Sequence, residues 1–303
     1  MPEGPMIFDR ALIQRRQRRA AALGPATFLL DRVAGDLAER LRTVLRQFDV
    51  AVDLGTPGEA VSTALAGFDS IGTVVSTGAL PDLAIRAKQM KRLVVADEEA
   101  LPFRDASLDL VVSALALQFV NDLPGALVQI RRALKPDGLF LGALIGGETL
   151  TELRQVFAAA ESEVEGGISP RVAPFADVRE LGALLQRAGF ALPVTDTDRV
   201  TVRYDAAFGL MHDLRRMGAT NALIDRRRAP LKRATLMRMA DIYAQRFADP
   251  DGRIRATFEI VWLSGWAPHP RQQQPLKPGS GRARLADALG TREISAGEKA
   301  GRE

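Results

Sequence analysis

The chain has 303 residues, of which 47% are hydrophobic and 26% charged, and it contains no cysteine. This composition is typical of a soluble globular protein, and it excludes disulfide scaffolds, thiolate metal sites and thiol nucleophiles. The 41 basic and 37 acidic residues leave a formal net charge of +4. Such mild basicity does not indicate a nucleic-acid-binding protein.

The sequence also argues against a transition-metal site and against a transmembrane protein. His212 and His269 are the only histidines, and they lie far apart in the chain, so no transition-metal site is expected, whereas an oxygen-ligated metal is left open. No segment approaches the roughly 20 apolar residues that a bilayer-spanning helix needs, and Met1–Arg10 lacks the apolar core of a secretory signal. We therefore expect a cytoplasmic protein, with peripheral membrane contact left open.

Residues 1–47 are expected to form an N-terminal helical segment. Its arginines at positions 15, 16, 18 and 19 are interpreted as a solvated helix face or, alternatively, as a basic patch. From about Phe48, apolar runs alternate with glycine-bearing turns and helical stretches, which is typical of a parallel α/β sheet. Strands are predicted for the run ending at Leu54 and for residues 73–76, 93–96, 108–114 and 139–145.

Helices are predicted between these strands, at residues 57–66, about 83–90 and 124–134, where apolar residues recur at helical spacing. After Glu148 longer helical stretches dominate, at residues 149–165, 175–188, 206–217 and 228–247, with late strands near 193–202 and 256–263. We predict one domain over residues 48–267, with a helical insertion at about 205–250 that forms a lid. Residues 268–303 are rich in Pro, Gly, Gln and charge, which predicts a disordered tail.

The strand ends carry strings whose order and spacing identify a fold. The first strand ends in Val52-Asp53-Leu54-Gly55, and the third is followed by Asp97-Glu98-Glu99-Ala100-Leu101-Pro102-Phe103. Leu108–Ser113 and Leu134–Leu139 complete the series. Together they resemble the class I S-adenosylmethionine-dependent methyltransferases. The resemblance implies a three-layer α/β sandwich with a mostly parallel, seven-stranded, Rossmann-like sheet plus a helical insertion, and S-adenosylmethionine as the cofactor.

A second set of strings supports a narrower resemblance. It comprises Ile7–Arg10, Val120–Pro124, Gly146–Arg154, Ser169–Phe175 and Met217–Asn221. These strings resemble the methyltransferase-like assembly factors of respiratory complex I, whereas the malonyl-carrier-protein methyltransferases are similar at fold level but lack them. The resemblance implies a protein substrate, a subunit of an assembling NADH dehydrogenase. It also implies hydroxylation of an arginine, which is linked to the mitochondrial member, as an alternative to methylation.

Ligands of such sheets bind beyond the carboxyl ends of the strands. The resemblance implies cofactor contacts there from Asp53, Gly55, Thr56, Gly58, Asp97, Glu98 and Ser113. The Asp97-Glu98 pair lies where these enzymes place an acidic residue near the adenine, and Ser113 is predicted to line the cleft. Purely structural roles remain open for Asp53, as the cap of a turn, and for Asp97, as the start of one.

The sequence departs from the family pattern at two places in this site. The expected Gly-x-Gly-x-Gly reads Gly55-Thr56-Pro57-Gly58-Glu59, and Pro57 has no N–H to donate. Thr56, Pro57 and Glu59 instead match a helix capping box. Gly78 stands where these enzymes carry the acid that accepts the ribose hydroxyls. Each lost charged hydrogen bond costs about 1.5–3 kcal/mol, so we expect weakened cofactor binding.

No catalytic residue is assigned. Gln118 and Phe119 occupy positions where the assembly factors tend to have a histidine and a tryptophan, so a general base is missing. Asp122 is predicted to cap a helix and Glu148 to lie in the first turn of another. Three hypotheses follow: a protein-modifying or chaperoning assembly factor, a non-catalytic binding module with a degenerate cofactor site, and a carrier-protein or small-molecule methyltransferase.

Overall fold

The computed structural model describes residues 6–78, 92–273, 280 and 284–292. The helix predicted at about 83–90 lies outside these residues. The chain divides into two compact units, residues 1–268 and 269–303. In the second unit the described residues include one short helix, Leu285–Leu289, in the stretch where the composition predicts a disordered tail.

Seven strands of the first unit form one sheet. They are β1 Phe48–Asp53, β2 Ile71–Gly78, β3 Leu93–Val95, β4 Leu108–Ala114, β5 Leu134–Ile145, β6 Ala191–Tyr204 and β7 Ile254–Trp266. Their order in the sheet is β3-β2-β1-β4-β5-β7-β6. Only β7 runs antiparallel to its neighbours, which confirms the predicted mostly parallel seven-stranded sheet.

Helices cover both faces of this sheet. They are α1 Arg10–Leu23, α2 Phe28–Arg42, α3 Ala60–Ala66, α4 Leu123–Ala133, α5 Thr151–Glu165, α6 Val178–Arg187, α7 Ala207–Arg216 and α8 Arg233–Phe247. Successive strand residues belong to different core clusters: Val112 is in the cluster that contains residues of α2, α3, α5, α7 and α8, whereas Val111 is in the cluster that contains residues of α4 and α6. Because the strands are buried on both sides, their sequences are continuous apolar runs. The three-layer sandwich is confirmed.

No helix within the described residues combines the length and the apolar character that crossing a bilayer requires.

Two predicted helix starts have different outcomes. Asp122 caps α4 by accepting the N–H of Gly125 at 2.8 Å, as predicted. The capping box at Thr56 and Glu59 is wrong: α3 begins at Ala60, and Glu59 precedes it without a side-chain cap. The hydroxyl of Thr56 instead accepts the N–H of Ala114 at 3.1 Å. Thr56 therefore ties the end of β1 to β4 and is not available to the helix.

The string Ser169-Pro170-Arg171 fastens the loop after α5 to that helix. Glu161 on α5 is 1% exposed, forms an ion pair with Arg171, and accepts the N–H of Ser169 at 2.7 Å. The guanidinium of Arg171 also lies 5.5 Å from the ring centroid of Phe157. A carboxylate buried to this extent is tolerated only because these donors surround it.

Replacing Arg171 by methionine is expected to destabilise the protein by about 3–5 kcal/mol, because it leaves the Glu161 charge buried without its partner. Urea unfolding measures the loss. The matched control is Arg238→Met, which removes an ion pair to Glu163 on the same helix at a solvent-exposed position and should cost far less. Equal losses in the two variants would contradict the assignment.

Candidate cofactor cleft

A cleft of about 350 Å³ opens at the carboxyl ends of the parallel strands. Its floor contains the loop Gly55–Glu59 after β1, Ser76–Gly78 at the end of β2, and Leu115 and Ala116 after β4. The strand order reverses between β1 and β4, and open α/β sheets bind their ligands at such a switch point. The cleft therefore lies where the fold predicts a ligand.

The roof of the cleft comes from the N-terminal segment and from the end of α7. The lining here comprises Arg10, Ile13 and Gln17 of α1, residues 25–27, Leu214 and residues 216–219. The two segments contact each other directly, since the guanidinium of Arg216 donates to the carbonyl of Gly24 at 2.7 Å. Most of the lining is apolar. Because α1 and α2 help to enclose the ligand space, the helices of residues 1–47 belong to the site, which the sequence analysis did not foresee.

Hydrogen bonds lock this roof in place. The side chain of Asn121 accepts the N–H groups of Ile7 and Phe8 at 2.8 and 2.7 Å. Phe8 forms a β-bridge with Leu223, and Asn221 donates to the carbonyl of Pro170 at 2.7 Å. The strings that carry the narrower resemblance thus contact one another beside the cleft, and four of the five contribute residues to its lining.

The structure brings four of the seven predicted cofactor residues into the lining of the cleft, namely Gly55, Thr56, Gly58 and Glu98. Ser113, predicted to line the cleft, does not: it is fully buried and its hydroxyl donates to the carbonyl of Leu54 at 2.8 Å. Asp97 also lies outside the lining. Its carboxylate accepts the N–H of Glu99 at 2.9 Å, in a local turn.

Asp53 is buried beside the cofactor loop and does not line the cleft. It is 1% exposed, and its Oδ1 has no hydrogen-bond partner among the described residues. Burial raises the pKa of Asp53 to about 7, while the Thr56 hydroxyl and the Ser62 amide act in the opposite direction. Burying a carboxyl oxygen without a hydrogen-bond donor costs folding free energy. Oδ1 of Asp53 is such an atom, and it lies next to the cofactor loop.

The most confined charged group of the cleft is Glu98. Its Oε2 lies 2.5 Å from Nη2 of Arg10, and the same nitrogen lies 2.6 Å from Asp97. A Cβ placed on Gly55 would lie 2.6 Å from Oε1 of Glu98, so the carboxylate reaches over the cofactor loop. Arg10 was not predicted as a site residue, although it belongs to Ile7–Arg10, one of the strings that carry the narrower resemblance.

The departures from the family pattern are also visible in the cleft. Pro57 and Glu59 both line it, and within the described part of the chain the Glu59 carboxylate has no hydrogen bond or ion pair. Gly78 contributes no carboxylate at the end of β2. A Cβ on Gly58 would meet nothing within 4 Å, so the loop borders open space. The lining therefore fits S-adenosylmethionine in part: Gly55, Thr56 and Glu98 are present, whereas Pro57 offers no N–H and Gly78 no carboxylate.

The other candidate side chains, Gln118 and His212, lie outside the lining of the cleft. Gln118 donates to the carbonyl of Leu115 at 2.8 Å. His212 is exposed on α7. Among residues 6–78, 92–273 and 284–292, no three or more His, Asp or Glu side chains are grouped so that they could hold a metal ion.

Comparison with known proteins places the chain among methyltransferase-fold proteins. A family model described as a methyltransferase domain matches residues 52–142. Two solved structures share the fold. A Bacillus halodurans protein is 18% identical with a TM-score of 0.54, over 78% of this chain and 100% of its own. YcgJ of Bacillus subtilis is 16% identical with a TM-score of 0.51, over 77% of this chain and 98% of its own. At these identities the likeness shows the fold alone.

Curated relatives extend over nearly the whole chain. Arginine-hydroxylase NDUFAF5 of Danio rerio is 38% identical over 94% of this chain and 90% of its own length. The Homo sapiens protein of the same name is 40% identical over 90% of this chain and 81% of its own length. Malonyl-[acyl-carrier protein] O-methyltransferase of Gallionella capsiferriformans is 31% identical over 88% and 93%.

Gly55→Ala is expected to weaken binding of S-adenosylhomocysteine, the product that S-adenosylmethionine becomes on losing its methyl group, at least about tenfold. The new Cβ displaces the Glu98 carboxylate, and the backbone has φ +68°, which an alanine adopts at a cost of about 1–2 kcal/mol. Calorimetry and thermal unfolding separate the two effects. Gly58→Ala, with φ +80° and open space around it, should lose stability but keep more of the affinity. Equal affinity losses would count against the role of Glu98.

Asp53→Asn is expected to remove a pH dependence of stability. The pKa of Asp53 is raised to about 7, so the folded state binds the proton more tightly than the unfolded state. The free energy of unfolding therefore falls by up to about 1.4 kcal/mol per pH unit between about pH 4 and 7. Urea unfolding of both proteins across this range tests the effect. Parallel stability profiles would show that Asp53 does not titrate this way.

Proposed function

Because the chain belongs to the methyltransferase-fold family that includes the arginine-hydroxylases NDUFAF5, we propose that it binds S-adenosylmethionine and modifies an arginine of a protein substrate. The substrate class that fits is a subunit of an assembling NADH dehydrogenase, met in the cytoplasm or at the membrane surface. The observation that carries the proposal is that four of the five strings that resemble the complex I assembly factors contribute residues to the lining of the cofactor cleft.

The charge of the cleft supports a cationic substrate. The charged residues in its described lining are Arg10, Arg216, Glu59 and Glu98. Arg10 is bound to Glu98, and Arg216 donates to the carbonyl of Gly24 at 2.7 Å. Glu59 is left as the carboxylate without a partner among the described residues. A guanidinium group is the natural partner of such a carboxylate, because its planar N–H donors match the two oxygens.

Two modifications of an arginine are chemically distinct. Methylation needs only S-adenosylmethionine, which supplies an electrophilic methyl group; the arginine nitrogen takes the methyl and loses a proton. Hydroxylation replaces a hydrogen by a hydroxyl group, and its balance requires dioxygen and an external two-electron reductant. We favour hydroxylation on the strength of the relatives' activity, with those two co-reactants.

A second candidate function is a non-catalytic assembly module. Pro57 and Gly78 remove a donor and an acceptor from the cofactor site, and Gln118 cannot serve as a general base. Such a module would hold the substrate under the same roof without changing it. Carrier-protein methylation is the third candidate, and the apolar lining is compatible with an acyl chain.

The test is deletion of the gene, followed by native electrophoresis of NADH dehydrogenase and mass spectrometry of its subunits. We expect less assembled complex and the loss of one arginine modification, either an added oxygen or an added methyl. Complementation with Glu59→Gln should restore less modification than the wild-type gene does, and Glu39→Gln, at an exposed site on α2, serves as the matched control.

The outcomes separate the candidates. Impaired assembly in a strain whose wild-type parent has no modified arginine would establish the non-catalytic module. Normal assembly and unchanged arginines in the deletion strain would overturn the proposal. Loss of a methyl ester from a carrier protein would establish the third candidate.

A further inference from the structure

At the end of β2, Gly78 provides no carboxylate to the cofactor cleft. A vicinal diol binds tightly where a carboxylate accepts both hydroxyls, and Gly78 has no side chain to do so. Among the described residues that line the cleft, Glu59 and Glu98 are the two carboxylates. Glu59 belongs to the loop after β1 and precedes α3. Glu98 follows β3, the strand that pairs with β2.

Glu98 lies near Gly78, the position without a carboxylate. Gly78 pairs with Val95 in the parallel register of β2 and β3, so Glu98 follows that pair by three residues. On the other side, the N–H of Gly55 lies 3.1 Å from Oγ1 of Thr77, the neighbour of Gly78. The close approach of Glu98 to Gly55 therefore brings its carboxylate across the ends of β2 and β1, where a carboxylate at position 78 would otherwise serve.

The two oxygens of Glu98 have different partners. Oε2 is held by Arg10, whereas Oε1, the atom that approaches Gly55, has no hydrogen bond among the described residues. The side chains of Glu98 and Arg10 are 12% and 18% exposed, so solvent competes little for this pair. One oxygen is thus fixed in place, and the other is free to accept from a ligand in the cleft.

We propose that Glu98 replaces the missing carboxylate of β2 as the acceptor for the ribose hydroxyls of a nucleoside cofactor, and that Arg10 is the positioning residue that holds it there. The inference rests on the nucleoside-binding cleft of the proposed function. It concerns binding alone, so the absence of any arginine modification would leave it intact.

The experiment compares adenosine with 2′,3′-dideoxyadenosine, which lacks both hydroxyls, by calorimetry on the full chain. The wild type should bind adenosine at least about tenfold more tightly, since charge-assisted hydrogen bonds are worth one to two decades of affinity. Glu98→Ala should bring this ratio close to one. Glu98→Gln, which preserves the shape, should lower it to a lesser extent and remains usable if the alanine variant does not fold.

Four further variants make the test specific. Asp97→Ala removes the other carboxylate held by Nη2 of Arg10 but lies outside the cleft lining, so the ratio should persist. Gly78→Asp added to Glu98→Ala should restore the ratio, because it returns a carboxylate to β2. Arg10→Ala should lower the ratio, and Arg10→Lys should recover part of it.

The proposal is overturned if the wild type does not prefer adenosine or binds neither nucleoside. It is also overturned if Glu98→Ala and Glu98→Gln keep the wild-type ratio, or if Asp97→Ala abolishes it as fully as Glu98→Ala does.

Discussion

The ion pair between Arg10 and Glu98 connects the first residue of α1 to the carboxyl edge of the sheet. Because both side chains are largely shielded from water, the pair depends on its geometry more than an exposed ion pair does, and the loss of one partner leaves a poorly solvated charge. The same carboxylate reaches over Gly55, so the cofactor loop, β3 and the N-terminal segment are mechanically linked. The cleft is complete only when all three are in place.

The position of Arg10 depends in turn on the roof. Asn121 binds the backbone of Ile7 and Phe8, Phe8 pairs with Leu223, and Asp9 lies 3.3 Å from Arg226. These contacts explain why the strings typical of complex I assembly factors are spread along the chain. They meet in space to form one surface beside the cleft, and we propose that a protein substrate enters there.

Local sequence patterns were sufficient for most of the fold, because strands covered on both faces are continuous apolar runs; β4 is found at the predicted Leu108–Ala114. Local sequence patterns did not predict the side chains that bind residues far away in the sequence. The hydroxyl of Thr56 binds Ala114, and Arg10 binds a carboxylate 88 residues away. The capping box was a good local match, but tertiary structure uses Thr56 differently. The missing acid at Gly78 was visible in the sequence, whereas its replacement by Glu98 required the geometry.

The most direct test of this account is a crystal structure of the chain with S-adenosylhomocysteine bound. We expect the ribose hydroxyls to lie about 2.5–3.0 Å from Oε1 of Glu98, with Arg10 still bound to Oε2. A complex in which Glu98 has turned away and the hydroxyls bind elsewhere, or in which the ligand lies outside the cleft, would contradict it.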